Sequence, residues 1–145
     1  MILVSACLLG INCQYNCKND LTEKLLEFLK SKGEFIAVCP EVLGGLPTPR
    51  DGAEIIGDQV KTANGKDVTK EFLSGAEKVL KFAKENNVDL AILKAKSPSC
   101  GLGVIYDGTF SRKLIEGDGI TAALLKKNGI KVMTEKDLLN GNWPK

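Results

Sequence analysis

The chain has 145 residues, of which 43% are hydrophobic and 26% are charged, and these proportions are typical of a folded globular domain. Its 20 basic and 18 acidic side chains leave a formal net charge of +2, so no overall charge favours a nucleic acid or a membrane surface as partner. No apolar run approaches the roughly 18 residues that a membrane-spanning helix needs, and we expect no membrane partner.

Short apolar segments alternate with helical patterns along the chain. Apolar, mostly β-branched runs predict strands, and apolar residues that recur on one helical face predict helices. In chain order we predict strand 2–6, helix 21–33, strand 35–39, helix 67–87, strands 89–93 and 103–107, helix 119–129, strand 130–134 and helix 135–141. Residues 54–68 are predicted as an irregular hairpin or loop with a turn at Asn64-Gly65.

This alternation of strands and helices indicates the fold class. Continuous apolar strands that alternate with helices are typical of a parallel sheet covered on both faces. We therefore predict an α/β fold, a three-layer α/β/α Rossmann-like arrangement with a mainly parallel sheet. The chain shows no repeat, low-complexity segment or linker, so residues 1–145 are predicted to form a single domain.

Cysteine is frequent in this chain and histidine is absent: there are five cysteines and no histidine. The opening "MILVSACLLG" resembles a strand more than a signal peptide, so we expect a cytoplasmic protein, in which thiols stay reduced. Five cysteines in such a chain favour metal binding or catalysis over disulfides. The absence of histidine excludes Cys-His and Ser-His catalytic pairs and any zinc site that needs imidazole.

Three cysteines fall at or just beyond the carboxyl ends of three predicted strands, namely Cys7, Cys39 and Cys100. Ligands of open α/β sheets bind outside the carboxyl ends of the strands, so the three thiols are expected to converge. Converging thiolates hold a soft metal, either zinc with a fourth thiolate or a carboxylate, or an iron–sulfur cluster. The alternative for Cys39 is a small buried apolar side chain. Cys13 and Cys17 are either metal ligands or an unrelated pair in a loop.

The loops beyond these strands carry polar residues that are candidates for a binding site. Glu41 and Arg50 lie in a segment rich in proline and glycine that follows Cys39. Asp107, Thr109 and Ser111 lie in a second loop and are further candidates for contacts with a substrate. The alternatives are a surface ion pair for Arg50 and a β-turn for Asp107-Gly108.

Five motifs together resemble the family known as DUF523, which includes the thiouracil desulfurases. They are spread over nearly the whole chain: "SACLLG" (5–10), "CPEVLGGLPTPR" (39–50), "KAKSPSCG" (94–101), "YDGTFS" (106–111) and "GDGITAALL" (117–125). The combination and its order are far more specific than any single motif.

The resemblance implies an enzyme that cleaves a carbon–sulfur bond without net redox change. It implies a [4Fe-4S] cluster on Cys7, Cys39 and Cys100, whose fourth iron has no protein ligand and binds the substrate's sulfur. The implied substrate is a small thiolated pyrimidine such as 2-thiouracil, and the products are uracil and hydrosulfide. Glu41 and Ser97 match positions that the family resemblance places in catalysis.

One stretch departs from the family pattern. Relatives often read C-R-Y-D-G after the first motif, whereas this chain has "CQYNC" (13–17), with Gln14, Asn16 and Cys17 at the altered positions. The substrate preference therefore stays open. One alternative is a desulfurase of thiolated nucleosides or tRNA, although the balanced charge does not favour a nucleic acid. A non-enzymatic carrier or sensor of sulfide or iron–sulfur clusters and a zinc-stabilised domain are the others.

Overall fold

Four parallel strands form the central sheet in the computed structural model, which describes residues 1–142. The elements in chain order are β1 (Ile2–Ser5), a 3₁₀ turn (Ala6–Leu9), α1 (Glu23–Lys32), β2 (Phe35–Val38), α2 (Pro40–Leu43), β3 (Ala53–Ile56), β4 (Gln59–Thr62), α3 (Thr69–Glu85), β5 (Leu90–Leu93), β6 (Val104–Tyr106), β7 (Leu114–Glu116), α4 (Ile120–Lys127), β8 (Lys131–Thr134) and α5 (Glu135–Leu139). The strand order in the sheet is β2-β1-β5-β8, and all three pairings are parallel. Residues 143–145, the end of the predicted domain, lie outside the described residues.

Helices cover both faces of this sheet. Successive side chains of a strand point to opposite faces, so the apolar residues of one strand pack against helices on both sides. Leu3 of β1 packs with the buried residues of α3 and α4, whereas its neighbour Val4 packs with those of α1 and α5. In β5, Ala91 and Ile92 divide between the two faces in the same way. The predicted α/β fold with a mainly parallel sheet is confirmed, and its layers are α3 and α4, the sheet, and α1 and α5.

Two antiparallel hairpins, β3-β4 and β6-β7, lie outside the central sheet. The predicted strand 103–107 corresponds to β6, but it pairs with β7 and does not join the parallel strands. The β3-β4 hairpin turns at Gly57-Asp58, where Gly57 supplies a φ of 64°, and Asn64-Gly65 forms a second turn after β4. The predicted turn at Asn64-Gly65 is confirmed, but it follows the β3-β4 hairpin, whose own turn is Gly57-Asp58.

The short helix α2 is pressed against the middle of α3, and this contact positions the residues just after β2. A Cβ added to Gly75 of α3 would lie 1.9 Å from the Pro40 carbonyl oxygen of α2. Real Cβ atoms do not approach backbone this closely, so only glycine permits the contact. The carboxyl end of β2 and the first turn of α2 are thereby held against the core.

We expect Gly75→Ala to destabilise the protein. Alanine adds about 1 kcal/mol of helix propensity, but overpacking a closely packed contact costs about 1–3 kcal/mol or more, and the clash here is with backbone. Urea unfolding of Gly75→Ala and of its neighbour Ser74→Ala measures the difference. Ser74→Ala gains propensity without this clash, so an equal or higher midpoint for Gly75→Ala contradicts the tight α2–α3 contact.

No helix within residues 1–142 is both long enough and apolar enough to cross a membrane.

Candidate metal centre

The three cysteines predicted to converge lie at the same edge of the sheet. Cys7 is in the 3₁₀ turn directly after β1, Cys39 joins β2 to α2, and Cys100 is in the loop after β5. Because β2, β1 and β5 are neighbours in that order, their carboxyl ends lie side by side. The strand order, which the sequence does not reveal, is what brings these thiols to one place.

A fourth cysteine, Cys13, lies beside Cys7 and Cys39. The contacts of its thiol with Cys39 and Cys7 raise the pKa of Cys13, and the contact with Cys13 lowers the pKa of Cys7. The same contact lowers the pKa of Cys39 to about 6. These contacts therefore favour the thiolate, the form that binds metals, at Cys7 and Cys39, and the thiol at Cys13.

Cys100 lies deeper, under the end of β1. Its sulfur is 3.3 Å from the Ser5 hydroxyl, which donates to it across the β1–β5 pair. Burial raises the pKa of Cys100 to about 12, and the hydroxyls of Ser5 and Ser99 act in the opposite direction. Coordination of a metal would deprotonate this thiol, and the two hydroxyls would then stabilise its negative charge.

Lys94 places a positive charge near these thiols, at the end of β5. Its ammonium lies 3.6 Å from Glu135 and 3.4 Å from Asp20, and its charge helps to lower the pKa of Cys7. Glu135 is almost fully buried and accepts the backbone N–H of Ala95 at 2.6 Å. The ion pairs therefore hold the positive charge of Lys94 beside thiols that become negatively charged when they bind a metal.

Glu41 and Arg50 form an ion pair next to the cysteines. Arg50 Nε donates to Glu41 Oε1 at 3.2 Å, and both side chains are largely buried. Arg50 also donates to the backbone carbonyl of Cys13 at 2.9 Å and to that of Pro47 at 3.1 Å. The ion pair is thus not at the surface, and it ties the Cys13 loop to the segment that follows β2.

The two serines of "SPSC" have different partners. Ser97 Oγ accepts the backbone N–H groups of Ser99 and Cys100 and closes the turn that presents Cys100. Ser99 Oγ lies 3.1 Å from Glu41 Oε2 and 3.0 Å from Ser97 Oγ. The sequence-predicted residue Ser97 therefore reaches Glu41 only through Ser99.

A cavity of about 430 Å³ opens next to the ion pair of Glu41 and Arg50. Glu41 and Arg50 provide polar groups to its wall, and Leu46, Pro47 and Phe72 provide apolar surface. Sites for small molecules commonly have volumes of about 300–1,000 Å³, mostly apolar walls and a few polar groups. The cavity therefore has the size of a site for a small molecule, and Glu41 is part of its wall.

The second predicted group of substrate contacts, Asp107, Thr109 and Ser111, lies in the turn between β6 and β7. Asp107 accepts from the backbone N–H of Thr109 at 3.0 Å and from its hydroxyl at 2.6 Å, and Thr109 in turn bonds to Ser111. Glu54 of β3 anchors this turn through the backbone N–H of Gly108. None of the three is among the residues that line the cavity beside Glu41.

Of the three altered positions in the "CQYNC" segment, Gln14 is the one at the site. Its side chain helps to lower the pKa of Cys7 and donates to Asp20 at 2.8 Å. Asn16 accepts the backbone N–H of Lys18, and Cys17 is exposed. Ser99 is the site residue that sequence analysis missed, although it lies within the selected motif "KAKSPSCG". Cys13 was predicted only as one of two alternatives, and Gln14 only as a departure from the family pattern.

Comparison with known proteins gives the family. The family model described as 2-thiouracil desulfurase matches residues 2–137. This chain belongs to that family. The family's description confirms the predicted resemblance and the prediction of an enzyme that cleaves a carbon–sulfur bond.

Two relatives resemble the family member described here over nearly their whole length. A protein of Bacillus subtilis (strain 168), named as the uncharacterized protein YbbK, is 49% identical over 95% of this chain and 97% of its own. A solved structure named [4Fe-4S]-dependent thiouracil desulfidase TudS is 45% identical, covers 96% of this chain and 93% of its own, and superposes with a TM-score of 0.90.

Proposed function

We propose that this protein hydrolyses the carbon–sulfur double bond of 2-thiouracil-type pyrimidines and releases uracil and hydrosulfide, with a [4Fe-4S] cluster on Cys7, Cys39 and Cys100. One observation carries the proposal: thiols from three adjacent strand ends lie beside a carboxylate, Glu41, that also lines a cavity. The structure named [4Fe-4S]-dependent thiouracil desulfidase TudS supports the same assignment.

The donor set fits a cluster better than a single ion. Within residues 1–142, no three side chains of histidine, cysteine, aspartate or glutamate are arranged to hold one metal ion. A [4Fe-4S] cluster requires a different arrangement of ligands, since each thiolate binds a different iron at its own corner of the cube. The hydroxyls of Ser5 and Ser99 and the charge of Lys94 supply the stabilisation that buried thiolates require.

When bound through three thiolates, the cluster would supply one iron without a protein ligand, a Lewis acid for the thiocarbonyl sulfur. The chain's own residues supply the remaining chemistry. Water attacks the carbon that carries sulfur, and Glu41 takes the proton of that water, because a carboxylate is the available base in a site without imidazole. The carbon–sulfur bond breaks, a carbon–oxygen bond replaces it, and sulfur leaves as hydrosulfide.

Arg50 and Ser97 support this step in different ways. Arg50 holds one oxygen of Glu41 and contributes to the cavity wall, so it orients the base and can contact the pyrimidine. Ser97 fixes the turn before Cys100 and donates its hydroxyl hydrogen to Ser99, which in turn contacts Glu41. Asp107, Thr109 and Ser111 stay predicted substrate contacts.

Anaerobic reconstitution with iron and sulfide, followed by addition of 2-thiouracil, tests the proposal. We expect about four irons per chain, the content of one [4Fe-4S] cluster, and repeated release of sulfide and uracil. Sulfide release that stops at one equivalent indicates a carrier instead of an enzyme. A protein that takes up no iron under these conditions contradicts the cluster.

The three-thiol assignment makes a prediction for Cys13, the fourth cysteine at the site. An iron that binds the substrate's sulfur must lack a protein ligand, so Cys13 is expected to stay uncoordinated. Cys13→Ala should therefore retain about four irons per chain after reconstitution. Iron analysis measures this, and a large loss of iron in Cys13→Ala contradicts the assignment of Cys7, Cys39 and Cys100 as the complete ligand set.

A further inference from the structure

We propose that Ser99 is a positioning residue that aims the Glu41 carboxylate and couples it to the sulfur of Cys100. The inference deepens the proposed function and rests on it. Ser99 is 1% exposed, and its hydroxyl lies between Glu41 Oε2 at 3.1 Å and Cys100 Sγ at 3.6 Å. It is the hydroxyl that joins the base of the reaction to a ligand of the cluster.

The direction of the hydrogen bonds around Ser99 follows from the number of donor and acceptor sites that a hydroxyl group has. Ser97 Oγ accepts two backbone N–H groups, those of Ser99 and Cys100, both at 3.1 Å. A hydroxyl has two acceptor sites and one hydrogen, so Ser97 must donate its hydrogen to Ser99 Oγ. Ser99 then has its own hydrogen to give, and the chain runs from Ser97 through Ser99 toward Glu41.

The Ser99 hydroxyl has two acceptors within reach, Glu41 Oε2 and Cys100 Sγ, and shares its hydrogen between them in a three-centre hydrogen bond. The bond to the Glu41 carboxylate is the shorter one, and a bond to an ionised oxygen is the stronger type, so Glu41 takes the larger share. Glu41 therefore accepts on both oxygens, from Arg50 on one side and Ser99 on the other. The two donors fix the plane of the carboxylate.

The backbone of Ser99 is itself held firmly. Its carbonyl oxygen accepts the N–H groups of Thr121 and Ala122 at the start of α4, at 2.8 and 3.1 Å. Gly119 lies so close that a Cβ there would be 2.5 Å from the Ser99 carbonyl carbon. The "GDGITAALL" motif thus serves to anchor Ser99, and catalytic groups that rigid elements support keep productive geometry better than groups on free loops.

Loss of the Ser99 hydroxyl should have two separate effects. Glu41 would keep Arg50 as its donor on one oxygen only, and its carboxylate would turn away from the water it must deprotonate. Cys100 Sγ would lose one of its two neighbouring hydroxyls and keep that of Ser5. Hydrogen bonds to ligand sulfurs help to set the reduction potential of iron–sulfur clusters, and their loss makes the potential more negative.

The test compares Ser99→Ala with wild type and with the exposed control Ser31→Ala, all reconstituted with the cluster. We expect Ser99→Ala to keep its iron, to lose about 10–100-fold in kcat with nearly unchanged KM for 2-thiouracil, and to show a more negative midpoint potential. Ser99→Thr keeps a hydroxyl and should recover both properties in part. Ser31→Ala should match wild type in all of them.

Two results overturn the inference: wild-type kcat and potential in Ser99→Ala, or a loss of its iron, which would make Ser99 a structural support of the cluster. If wild type itself releases no sulfide from 2-thiouracil, the proposed function fails. The potentials of Ser99→Ala and wild type still decide whether Ser99 acts on Cys100, so the two failures are distinguishable.

Discussion

Cys39→Ala is expected to lose the four-iron cluster and all turnover of 2-thiouracil. The substitution removes one of three thiolates and leaves two iron positions without protein ligands. The contact with Cys13 also lowers the pKa of Cys39, which favours the thiolate form that binds iron. Iron analysis, the visible absorbance of the reconstituted protein and sulfide release measure the effect. Cys7→Ala and Cys100→Ala should behave in the same way.

Cys17→Ala is the matched control, since Cys17 is exposed and lies outside the thiol cluster. It should retain iron, absorbance and activity. The double variant Cys13→Ala/Cys39→Ala removes the neighbouring thiol that is placed to replace Cys39. Full iron content in Cys39→Ala contradicts the ligand assignment, and the double variant then shows whether Cys13 has taken over.

Glu41→Gln is expected to keep the cluster but to lower kcat by about 10²–10⁴-fold, the usual contribution of a general base. Glutamine has the size of glutamate and still accepts a hydrogen bond from Arg50, but it cannot take a proton. Iron content and absorbance should therefore equal those of wild type while sulfide release falls. A kcat near the wild-type value removes Glu41 from the mechanism.

A second glutamate-to-glutamine substitution, far from the site, controls for the loss of one negative charge. Glu85 pairs with Lys81 on the exposed side of α3. Glu85→Gln removes the same charge far from the thiols, and we expect wild-type kcat. A comparable fall in both variants would mean that net charge, and not the Glu41 carboxylate, controls turnover.

Much of the fold was predictable because its strands are buried on both faces. Residues 89–93 contain such a run, and all four residues of β5 are buried, whereas the edge strand β8, within residues 130–134, begins with the exposed Lys131. The strand β7 was missed because Leu114, Ile115 and Glu116 are all exposed and give no alternation between the two faces. Residues 103–107 carry a true strand, but a local turn pairs it with β7, and no pattern within a strand identifies its partner.

The residues of the candidate site also divide into those that the sequence predicts and those that it does not. The position of Cys7, Cys39 and Cys100 after predicted strands was visible in the sequence, since it depends on local patterns only. The role of Ser99 was not, because it depends on a contact with Glu41, 58 positions away along the chain. "SPSC" contains two serines of equal chemistry, and only their hydrogen-bond partners distinguish the one that closes the turn from the one that reaches the carboxylate.

The hydrogen bond between Ser5 and Cys100 joins residues that are 95 positions apart, the last residue of β1 and a residue of the loop that follows its neighbour β5. During synthesis, β1 has only β2 to pair with until the ribosome has made the second half of the chain. No amino-terminal fragment that stops before Cys100 contains all three proposed ligands. Under the proposed function, a cluster can therefore gain its third ligand only after translation has passed Cys100, when β1, β2 and β5 have all been made.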